Sequence, residues 1–152
     1  MKPHRTDGID PAARSRARRR ALQALYAWQL SDSPIDKVIE QFQNEQDMEV
    51  ADLEYFEALV RGVAKYAPEL DEVLSRYIDR TMAQVDPIER AVLRIAGFEL
   101  AHRPDVPYRV VINEAIETTK RFGAEHGHTY VNGVLDRAAA EWRATEMQGP
   151  RR

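Results

Sequence analysis

Twice in this chain an aspartate is followed at once by a proline and then by a long run without another proline, at Asp10-Pro11 and Asp86-Pro87. An aspartate carboxylate can accept the free N–H groups at a helix start, and proline fits the first helical position because its fixed φ and missing N–H cost nothing there. Each pair therefore predicts a helix. The residues that follow repeat at the helical period of 3.6. In residues 11–30 the stripe is Leu22, Leu25, Tyr26 and Gln29, flanked by Ala21, Ala24 and Trp28. After Pro87 it is Ile88, Val92, Ile95, Ala96 and Leu100, with Gly97 an unfavourable choice for a helix interior.

The rest of the chain reads the same way. Ser31-Asp32-Ser33-Pro34 stops the first helix and starts a second, carrying Ile35, Val38, Ile39 and Phe42. The polar stretch Asn44 to Glu49 separates it from a third helix near 50–66 with Leu53, Phe56, Leu59, Val60 and Val63. Pro68 reads as the start of a fourth, with Leu70, Val73, Leu74, Tyr77 and Ile78. Pro104 and Pro107 force a loop, since each disfavours helix in the residue before it. Val110-Val111-Ile112 has strand-like composition, but Ile112, Ala115, Ile116 and Thr119 continue a helical stripe up to Gly123. A last helix, about 128–144, presents Val131, Val134, Leu135, Ala138 and Trp142. With no alternating strand pattern, the expectation is an all-α fold of about seven helices. They form one domain over residues 11–144, between a flexible extension (1–10) and a flexible tail (145–152).

Composition removes several functions. Without cysteine there is no disulfide, thiolate nucleophile or Cys-based metal site, and no phosphate-binding glycine loop is present. His126-Gly127-His128 offers two nitrogens but no further ligands, so no metal or cofactor is expected. The carboxylates Asp71, Glu72, Glu114 and Glu117 lie at helix-surface spacings, and nothing demands catalysis. No apolar run approaches the ~18 residues of a membrane span and no signal core follows the basic start, so the expected location is the cytoplasm.

Charge is what remains. Residues 1–20 hold seven basic and two acidic groups, net +5, whereas the other 132 residues hold 15 basic and 23 acidic, net −8. Arg14, Arg16, Arg18, Arg19 and Arg20 crowd the start of the first helix, the end at which the helix dipole disfavours cations. Guanidinium forks match phosphate oxygens, so this cost points to a nucleic-acid partner. Gln23 follows within a turn, and Tyr26 and Tyr130 are candidate platforms for stacked bases.

The blocks Pro11-Ala-Ala-Arg-Ser-Arg-Ala-Arg18 and Ala21-Leu-Gln-Ala-Leu-Tyr-Ala-Trp-Gln-Leu30 resemble the opening of the NusB family of transcription antitermination factors. Ile88-Glu-Arg-Ala-Val-Leu-Arg-Ile-Ala96 and Val106-Pro-Tyr-Arg-Val-Val-Ile-Asn-Glu-Ala-Ile-Glu117 are similar to its central signatures. Lys120-Arg-Phe-Gly123 and Tyr130-Val-Asn-Gly-Val-Leu-Asp136 are similar to its closing ones. The resemblance implies two packed three-helix bundles and a non-enzymatic protein. It would pair with NusE, a ribosomal small-subunit protein, bind single-stranded boxA RNA, and join the RNA polymerase antitermination complex on ribosomal RNA operons. It implies RNA contacts at Arg14, Arg16, Arg18, Gln23, Tyr26, Lys120, Tyr130 and Asn132, with Arg19 and Arg20 adding charge. It places a NusE contact at Glu89, expected to point outward. Residues 1–10, Ser15 and His126-Gly127 depart from the family pattern.

Two other classes compete. A basic-armed DNA-binding protein would need a helix-turn-helix, which is not evident. Ribosomal RNA cytosine methyltransferases carry a NusB-like domain, but they need a cofactor-binding α/β domain that these 152 residues do not hold. The sequence leaves monomer and homodimer both open.

Overall fold

The computed structural model describes residues 10–45 and 51–148; all but the last residue of the extension expected at 1–10, residues 46–49 of the polar stretch and the end of the tail lie outside them. Seven α-helices occur among the described residues: α1 (Pro11–Gln29), α2 (Ile35–Glu45), α3 (Leu53–Ser75), α4 (Pro87–His102), α5 (Tyr108–Phe122), α6 (Gly127–Trp142) and α7 (Ala144–Gln148). No strand is present among them. The two Asp-Pro signals work as the sequence predicts. Asp10 accepts hydrogen bonds from the Ala12 and Ala13 amides, and Asp86 from those of Ile88 and Glu89.

Helices α1–α3 form one bundle and α4–α6 the other, and α4 belongs to both because it packs on α1, α3, α5 and α6. Its sequence fits that position: Ala91, Val92, Leu93, Ile95, Ala96, Phe98 and Leu100 are buried around nearly its whole circumference, as a central helix requires. Phe56, Leu59, Val60 and Val63 of α3 and Leu22 and Leu25 of α1 complete the core, with Val131, Val134 and Leu135 of α6. Gly97 is explained by packing, since a Cβ there would stand 3.2 Å from the Trp142 ring.

Three sequence expectations are corrected. Pro68 does not start a helix; it lies inside α3, which runs through it to Ser75. Pro68 is exposed, so the carbonyl it orphans one turn back lies on the side open to water, while Leu70 and Leu74 hold the helix to the core. Leu53, placed on the α3 stripe, is exposed at the helix start. The tail expected from residue 145 begins as α7. Buried Arg143 anchors it by donating to the carbonyls of Leu100 (2.8 Å) and Val106 (2.9 Å), and Glu146 accepts from the Tyr108 amide at 2.9 Å.

Candidate nucleic-acid interface

The five arginines of α1 are sorted by helical phase. Arg18 points into the core and is only 5 % exposed. Its guanidinium makes a bidentate pair with Glu99 of α4, Nε at 3.0 Å and Nη2 at 2.8 Å from Oε2, and Nη1 lies 3.5 Å from Glu114. The Tyr55 hydroxyl donates to the same Glu99 carboxylate. Burial pulls the arginine pKa down, but the charge and hydrogen bonds of Glu99 outweigh it, and Arg18 is held above the ordinary arginine range. Arg14 also turns inward. Its guanidinium lies 4.0 Å above the Tyr55 ring and 3.8 Å from both Asp52 and Asp105. Neither side chain reaches out toward a ligand on the far face of α1.

Arg16, Arg19 and Arg20 occupy that far face. With Gln23, Ala51, Arg121 and Phe122 they line a groove of about 340 Å³ between α1 and the end of α5. Arg20 donates to Gln23 at 3.2 Å, and Arg16 to the Ala12 carbonyl at 3.5 Å. Arg19 is held below the ordinary arginine range by burial and then by the neighbouring Arg121 and Arg16. The groove thus holds guanidinium groups close enough to repel one another, the arrangement an anionic ligand relieves. Tyr26 lies one turn beyond Gln23 and is 37 % exposed, free to present a ring face.

The remaining sequence candidates do not line this groove. Lys120 is exposed and 3.8 Å from Glu117, and Asn132 is half-buried in α6. Tyr130 is half-buried against the core, its hydroxyl enclosed without a partner among the described residues and one ring face under the Arg80 guanidinium at 4.7 Å. It lines a second groove, of about 450 Å³, with Arg76, Tyr77, Ile78, Asp79 and Arg137. Arg121, Phe122, Arg80 and Arg137 were missed by sequence reasoning. The first two adjoin Lys120 in a quoted block, but only the packing of α5 on α1 shows which of them face the basic helix.

Glu89 corrects an expectation outright. It does not point outward; it is 7 % exposed, wedged so near the start of α6 that a Cβ on Gly127 would stand 2.5 Å from its Oε2. It accepts no hydrogen bond and forms no ion pair among the described residues. Burial, then Asp86, push its carboxyl above the ordinary range, and Arg80 only partly opposes them. The pair His126 and His128 gains no third ligand, since no group of three His, Cys, Asp or Glu side chains is placed to hold a metal among the described residues. No described helix is long and apolar enough to cross a membrane.

Comparison with known proteins agrees with this architecture. The NusB family model matches residues 15–140. The transcription antitermination protein NusB of Stenotrophomonas maltophilia (strain K279a) is 65% identical over 145 residues, which are 95% of this chain and 91% of that protein. Among solved structures, T. maritima NusB superposes with a TM-score of 0.77 at 30% identity, covering 88% of this chain and 96% of the other. A structure of NusB and NusE in complex with dsRNA has the same fold, with a TM-score of 0.70 at 23% identity over 84% of this chain and 96% of that one. A family match across most of the chain, together with 65% identity to a curated member, settles its membership: the chain belongs to the NusB family.

Proposed function

We propose that this protein acts in the cytoplasm, without catalysis, as a transcription antitermination factor that binds boxA RNA along the α1–α5 groove. The observation that carries the reading is the cluster of Arg16, Arg19, Arg20 and Arg121, repelling one another on the face of α1 that packing leaves open. Phosphates spaced along a single strand would be shared among those four guanidinium groups, and Tyr26 would take a base. NusE is the proposed partner, as in the complex with dsRNA. Glu89 fits a contact with it in one respect: a carboxylate without a hydrogen bond or ion pair among the described residues lacks what a basic group of NusE would bring. Assembly with RNA polymerase would follow from that ternary complex.

Titration of a short boxA RNA with and without NusE tests the reading, with double-stranded RNA and duplex DNA as competitors. Four phosphate contacts at ~0.7 each predict log K falling by about 2.8 per decade of salt, roughly a fiftyfold loss from about 50 to about 200 mM. Single-stranded boxA should compete best, and NusE should tighten binding. Equal affinity for duplex DNA would favour the DNA-binding alternative, and salt-independent binding would remove the groove from the interface.

A further inference from the structure

A third groove, of about 550 Å³, lies where the end of α1 meets α3 and the start of α4. Trp28 lines it, nine residues beyond Arg19, and at about 100° per residue that is half a turn around α1 from the basic face. The base of the groove is a fixed polar network. Arg94 donates to Asp71 from Nε at 3.0 Å and from Nη2 at 2.7 Å, and from Nη1 to Gln29 at 3.0 Å. Gln29 in turn donates to the Pro87 carbonyl at 3.0 Å.

Arg90 lines the same groove and is not tied into that network. Its Nη1 donates to the carbonyls of Met82 at 3.1 Å and Ala83 at 3.3 Å, and it has no carboxylate within ion-pair distance among the described residues. Burial and then Arg94 hold Arg90 below the ordinary arginine range, and Asp71 and Asp86 oppose them only in part. The groove therefore holds one guanidinium whose charge is met by Asp71 and a second whose Nε and Nη2 have no acceptor among the described residues. That surplus disfavours a cation, and the polar base disfavours an apolar tail. Trp28 supplies an aromatic surface, and Ser31, Asp32 and Ser33 bring hydroxyls and a carboxylate. An anionic group, a flat ring and several hydroxyls complement these residues, and the volume is that of a small-molecule site.

We propose that this groove binds a free mononucleotide, with its phosphate on Arg90, its base against Trp28 and its ribose hydroxyls at Ser31, Asp32 and Ser33. The site is separate from the α1–α5 groove and does not rest on the RNA-binding reading. A ligand there would bridge α1 and α4, the helix common to both bundles, so occupancy should raise Tm.

Titration of the full chain with adenosine monophosphate, followed by tryptophan fluorescence, tests the proposal. The chain has two tryptophans, Trp28 and Trp142, so Trp142→Phe isolates the signal of Trp28, and calorimetry on the wild type replaces it if that variant does not fold. The nucleotide should change the Trp28 emission, whereas adenosine and inorganic phosphate, each carrying half of the ligand, should bind roughly tenfold more weakly or worse. Arg90→Ala should make the nucleotide and adenosine bind alike, and Arg90→Lys should restore part of the difference. Nucleotide binding should persist in Arg16→Ala/Arg19→Ala/Arg20→Ala and should leave boxA RNA bound. Binding of this kind in a chain that fails to bind boxA would uphold this site and overturn the RNA reading alone. Loss of nucleotide binding in the triple variant, with displacement by boxA, would make the nucleotide a fragment of the RNA ligand and overturn the separate site. Neither a fluorescence change nor heat at millimolar nucleotide overturns it too, as does an unchanged affinity in folded Arg90→Ala.

Discussion

Arg18 and Arg19 are adjacent in sequence and opposite in circumstance. One is locked to Glu99 in the core; the other faces a groove among like charges. A step of about 100° around the helix axis separates them, and that step decides whether a guanidinium holds the protein together or reaches a ligand. Charge density in a sequence therefore overcounts binding residues wherever a helix carries charge on its packed side.

The largest effect should come from breaking the inner half of this pair. Arg18→Ala leaves Glu99 buried without its counter-charge, a loss on the order of 3–5 kcal/mol. At about 2–4 °C per kcal/mol for a chain of this size, Tm should drop by roughly ten degrees. Arg19→Ala should leave Tm nearly unchanged, because Arg19 makes no hydrogen bond or ion pair among the described residues and sits among like charges. Thermal unfolding of the two variants side by side checks the contrast, and equal losses would erase it. The outer half should show in binding instead. Replacing Arg16, Arg19 and Arg20 by Ala removes about three phosphate contacts, so the salt dependence of boxA binding should flatten by about two units. The affinity itself should fall by roughly a hundredfold at low salt.

The two tyrosines repeat the comparison on a smaller scale. Tyr26 is exposed beyond the groove, so Tyr26→Ala should weaken RNA binding by about 1–3 kcal/mol with little change in stability. Tyr130 is packed against the core with its hydroxyl enclosed, so Tyr130→Ala should lower Tm as well as affinity. A Tyr26 variant that loses stability instead would exchange their roles.

The helices were legible because proline, aspartate and the 3.6-residue stripe act locally. Pro68 misled for the same reason. Read alone it is a helix start, and only the packing of Leu70 and Leu74 with the rest of α3 shows that the helix continues. The binding face was half legible. Sequence shows that α1 is basic, but which arginines stay outside depends on Glu99, Tyr55 and Asp105, which lie far away along the chain. Arg143 shows the limit from the other side. Glu146, three residues on, pairs with it, but what buries the guanidinium lies far along the chain: backbone carbonyls at the end of α4 and in the loop after it.

Glu89 and Glu99 carry the comparison onto a single helix: both are buried in α4, and only Glu99 has a cation and a hydroxyl bound to it. The sign of the consequence follows from linkage. Burial and Asp86 raise the Glu89 pKa in the folded state, so between the unfolded and folded values the native protein holds more of this proton than the unfolded chain. Stability contributed at this site is therefore greatest below the ordinary glutamate range and declines as pH rises through the folded pKa. Glu89→Gln keeps the shape and cannot ionise. It should raise Tm slightly at neutral pH, and the gain should shrink as pH falls toward the ordinary glutamate value. Glu99→Gln should do the reverse at neutral pH, because it strips Arg18 of its counter-charge and lowers Tm. Melting curves of the two variants from acid to neutral pH separate the cases. A Glu89→Gln profile parallel to that of the wild type would show that this carboxylate reaches water or a cation after all, and would return it to the class of Glu99.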